Sequence, residues 1–569
     1  MSQKTDFDYI VIGSGFGGSV AALRLSEKGY KVAVMEMGRR WTPDSLPKSN
    51  WSLSRWLWYP GLALRGFFRM RLFRHMLVLH GCAVGGGSIT YASTLLRPKG
   101  SIWRSGSWAG LAPWEQEMDT HYATASRMLG VTENKILGPA DELLRQAAEA
   151  IGRGNTFYRT SVGVFQETDG APGGNTYPDP YFGGEGPERT TCTGCGGCMM
   201  GCRHGAKNTL DLNYLYLAEK RGAHIFPETK VVDVKPLGNK ADGSEGYQVT
   251  TESSTSFFRK NRKTFSCRGV VFSASALGTM ELLFQLKDKG SLPRISSKLG
   301  SYVRTNCESL IGVRTAGKVD YSRGVAIGSG IYIDDHTHIE ATRYPSGSDA
   351  MSLMTTLLTI GRPDPSRILV LLKNLLLSFL RHPVKTFRVL QPAGWARQSV
   401  IMLCMQALEG HINMRYKRSW YWPFAKSMQS SGHKIPTFIP EANDFAQKLS
   451  ALSGGTAMSM VSEILFNIPS TAHILGGCVM AQSATAGVID HRHRVFGYKN
   501  MYVCDGSVVS ANLGVNPSLS ITALSERAMS FLPPAPENSW TDTAGAAGVE
   551  KDLLTSETAS ATGIKTTSH

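Results

Sequence analysis

The first 36 residues contain the feature that most restricts the fold of this chain. Residues 9–12 are apolar and predict a buried parallel strand, and residues 31–35 predict a second one. Residues 19–28 lie between them and carry apolar side chains at positions that suit a helix. A glycine triplet with G-x-G-x-x-G spacing joins the first strand to this helix. The order of strand, glycine turn, helix and strand is typical of a βαβ unit that binds a dinucleotide.

Each glycine of the triplet has a physical role in such a unit. Gly13 permits a tight turn, Gly15 lets the backbone approach a diphosphate, and Gly18 lets helix and strand pack closely. The N-terminus of the helix offers free N–H groups and the positive end of the helix dipole to the phosphates. Glu36 ends the second strand, where it can accept hydrogen bonds from ribose hydroxyls. We therefore predict that these four residues bind a dinucleotide cofactor.

Length and cysteine usage predict a large enzyme of a reducing compartment. The chain has 569 residues and ten cysteines, four of them within eleven residues, which does not resemble a disulfide framework. Only a short polar stretch precedes the first strand, so we expect no secretory signal peptide and a cytoplasmic location. Residues 533–569 contain almost no large apolar side chain and predict a disordered tail.

The charge balance is strongly basic, with 61 lysines and arginines against 45 acidic residues. A formal charge of +16 suits nucleic acid or an anionic membrane, but the sequence contains no nucleic-acid motif. Residues 51–80 and 368–380 mix basic side chains with aromatic or aliphatic ones, and neither stretch suits a membrane span. We expect docking on the inner face of a membrane. The alternative is that both stretches line an internal substrate cavity.

Later in the chain, further motifs follow in a fixed order. They comprise a second glycine-rich loop, an apolar strand that leads into a helix, a His-Ile-Leu-Gly-Gly-Cys motif, a Cys-Asp-Gly-Ser motif and a Gly-Val-Asn-Pro motif. These motifs lie at residues 80–88, 269–283, 470–480, 500–507 and 514–517. Together they resemble the glucose–methanol–choline (GMC) family of flavin oxidoreductases. Within this family they are most similar to the branch that oxidises sterols.

The resemblance implies an α/β fold with two interleaved domains. The first is a discontinuous Rossmann-like domain that binds FAD, gathered from residues 1–48, 205–305 and 473–532. The second is an α+β substrate domain with an antiparallel sheet, formed by residues 49–204 and 306–472. The reacting carbon is then expected between the two domains, where pockets are common.

The resemblance also implies a set of site residues. Beyond the first glycine motif, the residues expected to bind FAD are Gly81, Gly86, Gly87, Ser88, Val231, Asp505, Gly506 and Asn516. His473 and Asn516 are expected to hold the hydroxyl of the substrate, and which of them acts as the base stays open. The stretch around Glu340 resembles the segment that carries the isomerisation carboxylate of the sterol enzymes. The alternative for Glu340 is a solvated acid that follows two aspartates.

A run of cysteines departs from this likeness. Cys192, Cys195, Cys198 and Cys202 have the C-x-x-C-x-x-C-x-x-x-C spacing of an iron–sulfur ligand loop. They could bind one 4Fe–4S cluster, or three of them a 3Fe–4S cluster. A zinc site and unmetallated thiols are the alternatives, although zinc sites normally separate two cysteine pairs by a longer gap. A cluster beside the flavin would favour a quinone or a carrier protein over oxygen as the electron acceptor.

Three functional hypotheses follow from these observations. The first is FAD-dependent oxidation of a sterol 3β-hydroxyl to the ketone, with a shift of the double bond from the 5 to the 4 position. The second is oxidation of another alcohol, either a long-chain or a sugar-type one. The third, of a different class, is a membrane-bound electron-transfer subunit. The apolar and aromatic insertions favour a bulky apolar alcohol as the substrate.

Overall fold

A computed structural model describes residues 5–258, 260–359, 367–408, 410–418, 424–432 and 438–536. Most of the tail predicted for residues 533–569 therefore lies outside the described residues. Its first residues contact the end of the first helix, because the Ala535 N–H donates to the Lys28 carbonyl at 2.8 Å. The Tyr30 hydroxyl donates to the Pro533 carbonyl at 3.0 Å. The described residues thus include the first four residues of the predicted tail.

Two large sheets organise the fold, and α-helices pack against them. The helices of the described residues are Phe16–Glu27, Leu53–Trp56, Trp114–Met128, Pro139–Ala150, Tyr214–Lys220, Ser275–Lys289, Arg367–Arg381, Pro383–Leu390, Trp395–Gln398, Pro440–Ser453, Val461–Leu465 and Ser518–Ser530. Several of them begin with proline, whose missing N–H has no intrahelical partner at that position.

The first sheet, which we call the parallel sheet, contains the strand of the glycine motif. Its strands are Phe7–Ile12, Val32–Met35, His224–Phe226, Thr229–Pro236, Tyr247–Ser253, Lys263–Phe272 and Met501–Val503. Phe7–Ile12 lies between Val32–Met35 and Lys263–Phe272, with Ile10 opposite Ala33 on one side and Val270 on the other. The end of Lys263–Phe272 pairs in parallel with Met501–Val503, and its beginning pairs antiparallel with Tyr247–Ser253. Tyr247–Ser253 pairs in turn antiparallel with Thr229–Pro236 at the edge of the sheet.

The second sheet, which we call the antiparallel sheet, is built from the middle of the chain. In spatial order its strands are Thr355–Leu357, Thr456–Met460, Ser309–Arg314, Ser399–Gln406, Thr337–Thr342, Ile327–Tyr332 and Tyr158–Arg159. Helices Pro139–Ala150 and Pro440–Ser453 cover one face, where Ile339 and Ala341 join an apolar cluster. Since successive side chains alternate between faces, Glu340 points to the opposite face.

Short strands complete the structure. They form the pairs or small sheets Trp58–Tyr59 with Leu64–Arg65; Phe68–Phe73 with Met76–Gly81 and Ser470–Thr471; Thr132–Glu133 with Ser161–Val162; Thr176–Tyr177 with Arg189–Thr190; Ser301–Arg304 with Leu475–Gly477; and Asn413–Arg418 with Lys426–Ser431. The hairpin Phe68–Gly81 matters most for function, because several of its residues line the main cavity.

The two basic stretches identified in the sequence differ in how far their apolar side chains are exposed to solvent. In residues 51–80, most of the aromatic side chains are buried: Trp56, Trp58, Phe67, Phe68 and Phe73. Helices Arg367–Arg381 and Pro383–Leu390, which we call the helical hairpin, instead expose a row of large apolar side chains. Among the described residues, no helix has both the length and the apolar character needed to cross a membrane.

Candidate active site

A cavity of about 480 Å³ lies between the two sheets and is lined by residues of both. On one side it is bounded by the glycine motif and by loops at the ends of the parallel strands. On the other side lie apolar side chains that include Leu403, Met458, Tyr344 and Trp395. One end of the cavity is thus polar and rich in glycine, whereas the other can accept a bulky apolar molecule.

The glycine motif forms the turn that the sequence predicts. Gly13 has φ of +99°, and a Cβ there would lie 2.3 Å from the Ser273 carbonyl oxygen of the neighbouring strand. A Cβ at Gly18 would lie 2.1 Å from the Gly13 carbonyl oxygen, so helix and strand touch there. A Cβ at Gly15 would have no atom within 4 Å, which leaves open space in front of the backbone. This open space is where a diphosphate can approach.

The start of helix Phe16–Glu27 is free to bind an anion. No side chain caps this terminus, and no acidic residue lies in its first turn. Glu36 is buried beside it and accepts hydrogen bonds from Ser14 Oγ at 2.7 Å and from the Gly38 N–H at 2.7 Å. Burial raises the pKa of Glu36, and these hydrogen bonds oppose that shift. Its carboxylate also lines the cavity, where it can accept from ribose hydroxyls.

The second glycine loop lies directly on the first. Gly86 has φ of +53°, and a Cβ there would lie only 2.6 Å from the Gly15 Cα. Gly81 and Gly87 line the cavity together with Gly86. Ser88 does not line it but secures the loop, since its hydroxyl donates to the Gly85 carbonyl at 2.7 Å. The Leu210 N–H donates back to the same hydroxyl oxygen at 3.0 Å.

The remaining predicted cofactor residues close the polar end of the cavity. Val231, Asp505 and Gly506 all line it. Asp505 is fixed, because one carboxylate oxygen accepts from the Ser507 N–H at 2.8 Å and the other accepts from the Thr279 hydroxyl. The closely packed glycines, the uncapped helix terminus and a buried carboxylate at the cavity wall together fit the shape and charge of FAD.

His473 is held by a carboxylate that the sequence did not indicate. The Glu308 Oε1 lies 2.6 Å from His473 Nδ1, and the Glu308 side chain is fully buried. The other Glu308 oxygen accepts from the Ala472 N–H at 3.1 Å. Burial by itself lowers the pKa of His473, but the attraction and hydrogen bond of Glu308 outweigh it, so the pKa is raised. With Nδ1 engaged, Nε2 is the ring nitrogen left to act on a substrate.

Asn516 and Glu340 meet in the same region. Asn516 lies just before helix Ser518–Ser530 and lines the cavity. Its Nδ2 donates to Glu340 Oε2 at 3.3 Å. Asn516 Oδ1 and Glu340 Oε1 are buried without a hydrogen-bond partner among the described residues. Burial raises the pKa of Glu340 to about 7, opposed by the Asn516 hydrogen bond and the attraction of His473.

Glu340 is therefore not a solvated acid. Its side chain is 0% exposed although two aspartates precede it closely in sequence. His473 and Glu308, which can hold or move a proton, line one end of the cavity together with the Asn516 amide. Glu340 does not itself line the cavity but lies directly behind Asn516, within hydrogen-bond distance of its amide. Sequence reasoning missed Glu308, since a lone glutamate after Cys307 belongs to no motif. Its position immediately before strand Ser309–Arg314 was the only signal available.

The cysteine run does not form the predicted ligand set. Among the residues described, which include Cys192, Cys195, Cys198 and Cys202, no group of three or more His, Cys, Asp or Glu side chains is arranged to hold a metal ion. A glycine between the cysteines allows close packing instead, because a Cβ at Gly196 would lie 2.2 Å from the Ser322 carbonyl oxygen. The loop is glycine-rich so that it can pack against this neighbouring segment. The geometry does not support an iron–sulfur cluster.

Comparisons with known proteins agree with this architecture. Residues 424–525 match the GMC oxidoreductase family, and residues 11–45 match the NAD(P)-binding Rossmann-like domain. A cholesterol oxidase of Acinetobacter baumannii is 59% identical over 93% of this chain and 94% of its own length. A cholesterol oxidase of Mycobacterium tuberculosis is 44% identical over 93% of this chain and 92% of its own length.

A solved structure has the same fold. Pyridoxine 4-oxidase from Mesorbium loti aligns with a TM-score of 0.59 at 14% identity, covering 92% of this chain and 98% of that one. The chain belongs to the GMC oxidoreductase family, alongside the two cholesterol oxidases. The predicted α/β fold with a Rossmann-like domain and an antiparallel sheet is confirmed.

Proposed function

We propose that this protein oxidises the 3β-hydroxyl of a sterol to the ketone with FAD and then shifts the double bond from the 5 to the 4 position. The observation that carries the proposal is the pair His473 and Asn516 at the junction of a glycine-rich cradle and an apolar cavity. The two cholesterol oxidases that align with nearly the whole chain support the same substrate.

The oxidation needs a hydride acceptor and a group that takes the hydroxyl proton. Bound FAD would supply the acceptor for the hydride of the carbinol carbon. His473 accepts the hydroxyl proton at Nε2, and Glu308 stabilises the imidazolium that forms. Asn516 donates a hydrogen bond to the substrate oxygen and fixes its orientation. The apolar wall around Leu403 and Met458 excludes water and holds the ring system.

The double-bond shift needs a single carboxylate that serves two carbons of one steroid face. In its ionised form Glu340 removes the proton at C4, which gives a dienolate and a neutral carboxyl group. The same carboxyl then returns a proton to C6, and the conjugated ketone results. A pKa near neutrality suits both half-steps, because the group must accept and release a proton at similar cost.

Two further elements belong to the proposal. We assign the parallel-sheet segments 1–48, 205–305 and 473–532 to FAD binding and the segments 49–204 and 306–472 to the substrate. We infer oxygen as the electron acceptor, because the two similar proteins from Acinetobacter baumannii and Mycobacterium tuberculosis are named oxidases.

We further propose that the helical hairpin docks on an anionic membrane, from which an apolar sterol enters. Leu369, Leu372 and Leu376 are each more than half exposed on the first helix, and Val384 and Phe387 on the second. The hairpin and the residue between its helices contain no acidic side chain. Besides the buried Arg367, their basic or titratable residues are Lys373, Arg381, His382, Lys385 and Arg388.

The inner side of the hairpin connects this surface to the cavity. Leu371 and Val389 are buried in the apolar cluster that contains Tyr344 and Trp395. Both of these aromatic residues line the cavity. The same helices therefore present leucines to the outside and support the apolar wall of the site, as an entry from a lipid phase requires.

The test of the proposed reaction compares substrates and variants. The purified protein with FAD is mixed anaerobically with cholesterol, hexadecanol or glucose, and bleaching of the flavin absorbance is followed. Bleaching by cholesterol alone supports the proposal, and faster bleaching by either of the others contradicts it. His473→Ala and Asn516→Ala should retain FAD and lose the bleaching. Cholesterol oxidation at the parental rate in both variants would overturn the catalytic assignment.

A further inference from the structure

A buried histidine and a partly exposed tyrosine lie beside Glu340, and the proposed reaction does not use them. The Tyr158 hydroxyl and His338 Nε2 are 2.5 Å apart, a close hydrogen bond. The same His338 Nε2 lies 4.0 Å from Glu340 Oε1, the carboxyl oxygen that has no hydrogen-bond partner in the part of the chain that the structure describes. The two atoms are close but beyond hydrogen-bond distance, so direct proton transfer needs a small shift of one of the two side chains.

The antiparallel sheet builds this row of side chains. His338 and Glu340 are two residues apart on strand Thr337–Thr342 and so share one face. Gly330 lies opposite Glu340 on one side and opposite Tyr158 on the other. A Cβ at Gly330 would lie 2.6 Å from the Tyr158 hydroxyl oxygen. The missing side chain therefore makes the space through which the tyrosine reaches His338.

Exposure to solvent increases along this row. Glu340 is fully buried and His338 is 1% exposed, whereas Tyr158 is partly exposed on the edge strand. Asn516 is the other polar contact of Glu340, and an amide does not take up or release protons at neutral pH. When a sterol fills the cavity, the row through His338 is thus the polar connection from Glu340 to the edge of the sheet.

We propose that His338 and Tyr158 form a proton-exchange path that connects Glu340 to solvent behind the bound substrate. The inference rests on the proposed isomerisation, in which Glu340 holds a proton between its removal from C4 and its return to C6. During this interval the path lets the proton on Glu340 exchange with solvent. His338 and Tyr158 are therefore positioning and exchange residues, which do not touch the reacting carbons.

The exchange step conserves atoms and charge. The O–H bond of the Glu340 carboxyl breaks as an N–H bond forms at His338 Nε2, and Tyr158 releases its hydrogen bond to that nitrogen. His338 Nε2 then gives this proton to the Tyr158 oxygen, while the Tyr158 O–H bond breaks and its own proton leaves to solvent. The same steps in reverse, beginning with a solvent proton on the Tyr158 oxygen, restore the neutral carboxyl. Burial lowers the pKa of His338 to about 3 and raises that of Glu340 to about 7, so His338 carries the proton only in passing.

Other charged groups near the path are few. Lys99 lies at its outer end, with the ammonium group 5.3 Å from the centre of the Tyr332 ring. This positive charge opposes protonation of His338. Glu308 and His473 act on Glu340 from the cavity side with opposite signs. Neither makes a hydrogen bond to His338 or Tyr158 among the described contacts, so the path can be altered without changing them.

The test uses cholest-5-en-3-one, which needs isomerisation but no oxidation. The FAD-loaded protein converts it in heavy water, and the deuterium at C6 of the product is measured by NMR and mass spectrometry. We expect clear deuterium incorporation with the parental protein. Tyr158→Phe and His338→Gln should lower the incorporated fraction several-fold. Tyr332→Phe is the matched control, because that ring stacks on His338 with centres 4.7 Å apart and should leave the fraction unchanged.

The possible results separate two failures. Equal deuterium in all four proteins, or none in the parental protein, overturns the exchange path while leaving the isomerisation intact. A parental protein that leaves the ketone unconverted contradicts the isomerisation itself, and the path is rejected with it. Flavin absorbance and the melting temperature of each variant show whether it is folded. If Tyr158→Phe loses deuterium incorporation but His338→Gln keeps the parental fraction, the proposed order of groups in the path is also contradicted.

Discussion

At the scale of single residues, the Glu308 carboxylate determines how His473 behaves. Because it raises the pKa of His473, the neutral ring that can accept a proton is lost as the pH falls through this raised value. Glu308→Gln removes the charge and lowers the pKa of the ring. We therefore expect the acid limb of kcat for cholesterol oxidation to move to lower pH, and kcat at its plateau to fall roughly 10²-fold.

The control for this prediction is Glu463→Gln. Glu463 is also a buried carboxylate, on helix Val461–Leu465, where it accepts from Ser309 Oγ at 3.0 Å, but among the described contacts it makes no hydrogen bond to His473. Its substitution should leave the acid limb in place. Measurement of kcat between acidic and neutral pH decides the matter, and an unmoved limb in Glu308→Gln would show that His473 is not the titrating base.

Glu340 carries a separate prediction on the second half of the reaction. Glu340→Gln should leave oxidation within a few-fold of the parental rate and stop the double-bond shift, so the unconjugated ketone accumulates. In the parental protein, isomerisation should fall about tenfold per pH unit below a pKa of about 7, since only the ionised carboxylate removes the C4 proton. Chromatography of the products with cholest-5-en-3-one as a standard measures both effects. Full conversion by Glu340→Gln would be incompatible with the assignment.

The sequence allowed part of this site to be predicted, because some residues lie in motifs and others do not. His473 and Asn516 sit in glycine-rich signatures whose backbone shape restricts what can replace them. Glu308 and His338 are ordinary strand-end and strand residues in sequence. Their roles arise only when strands distant in the chain bring them beside His473 and Glu340, which no local pattern encodes.

At the scale of elements, the helical hairpin makes the membrane proposal testable. Leu372→Glu with Leu376→Glu places two charges on the exposed apolar row. Since burying one leucine contributes about 1.5–3 kcal/mol, we expect binding to vesicles with anionic lipid to weaken by roughly tenfold or more. Sedimentation with such vesicles measures the binding, and turnover of cholesterol in detergent micelles should stay close to the parental value.

The matched control carries the same charges elsewhere. Val319→Glu with Leu452→Glu replaces two exposed apolar side chains outside the hairpin. This variant should bind vesicles as the parental protein does. If both double variants lose binding equally, the attraction is a general charge effect and the hairpin is not the docking surface.

The secondary-structure elements also show why composition alone cannot distinguish a buried segment from an exposed one. The basic and aromatic stretch 51–80 and the helical hairpin look alike in sequence, yet Trp56 and Phe68 stack on one another in the interior with ring centres 5.0 Å apart. The difference is tertiary, because the strands of 68–81 are covered by neighbours and the hairpin is covered on one side only.

The start of the first helix is also decided by tertiary contacts. The helix begins at Phe16, three residues before the predicted start, because the glycines that weaken a helix in isolation are needed for contact with the sheet.

At the scale of the whole molecule, the cradle for FAD joins segments that are far apart in the chain. Gly15, Gly86, Val231 and Asp505 line one cavity although almost 500 residues separate the first from the last. A ligand that binds only when these segments are assembled stabilises the whole fold by mass action. At a free FAD concentration 100 times the Kd, this stabilisation amounts to about 2.7 kcal/mol. The melting temperature should therefore rise with added FAD.

Gly86→Ala tests whether the contact between the two glycine loops is what couples these segments. The added Cβ would lie 2.6 Å from the Gly15 Cα, so either loop must move and the diphosphate site is lost. Gly110→Ala is the control, since Gly110 also has a positive φ but nothing within 4 Å of its Cβ position. Backbone strain lowers the stability of both variants. Only Gly86→Ala should lose the FAD-dependent rise in melting temperature, and an equal rise in both would show that the loops are not coupled through this contact.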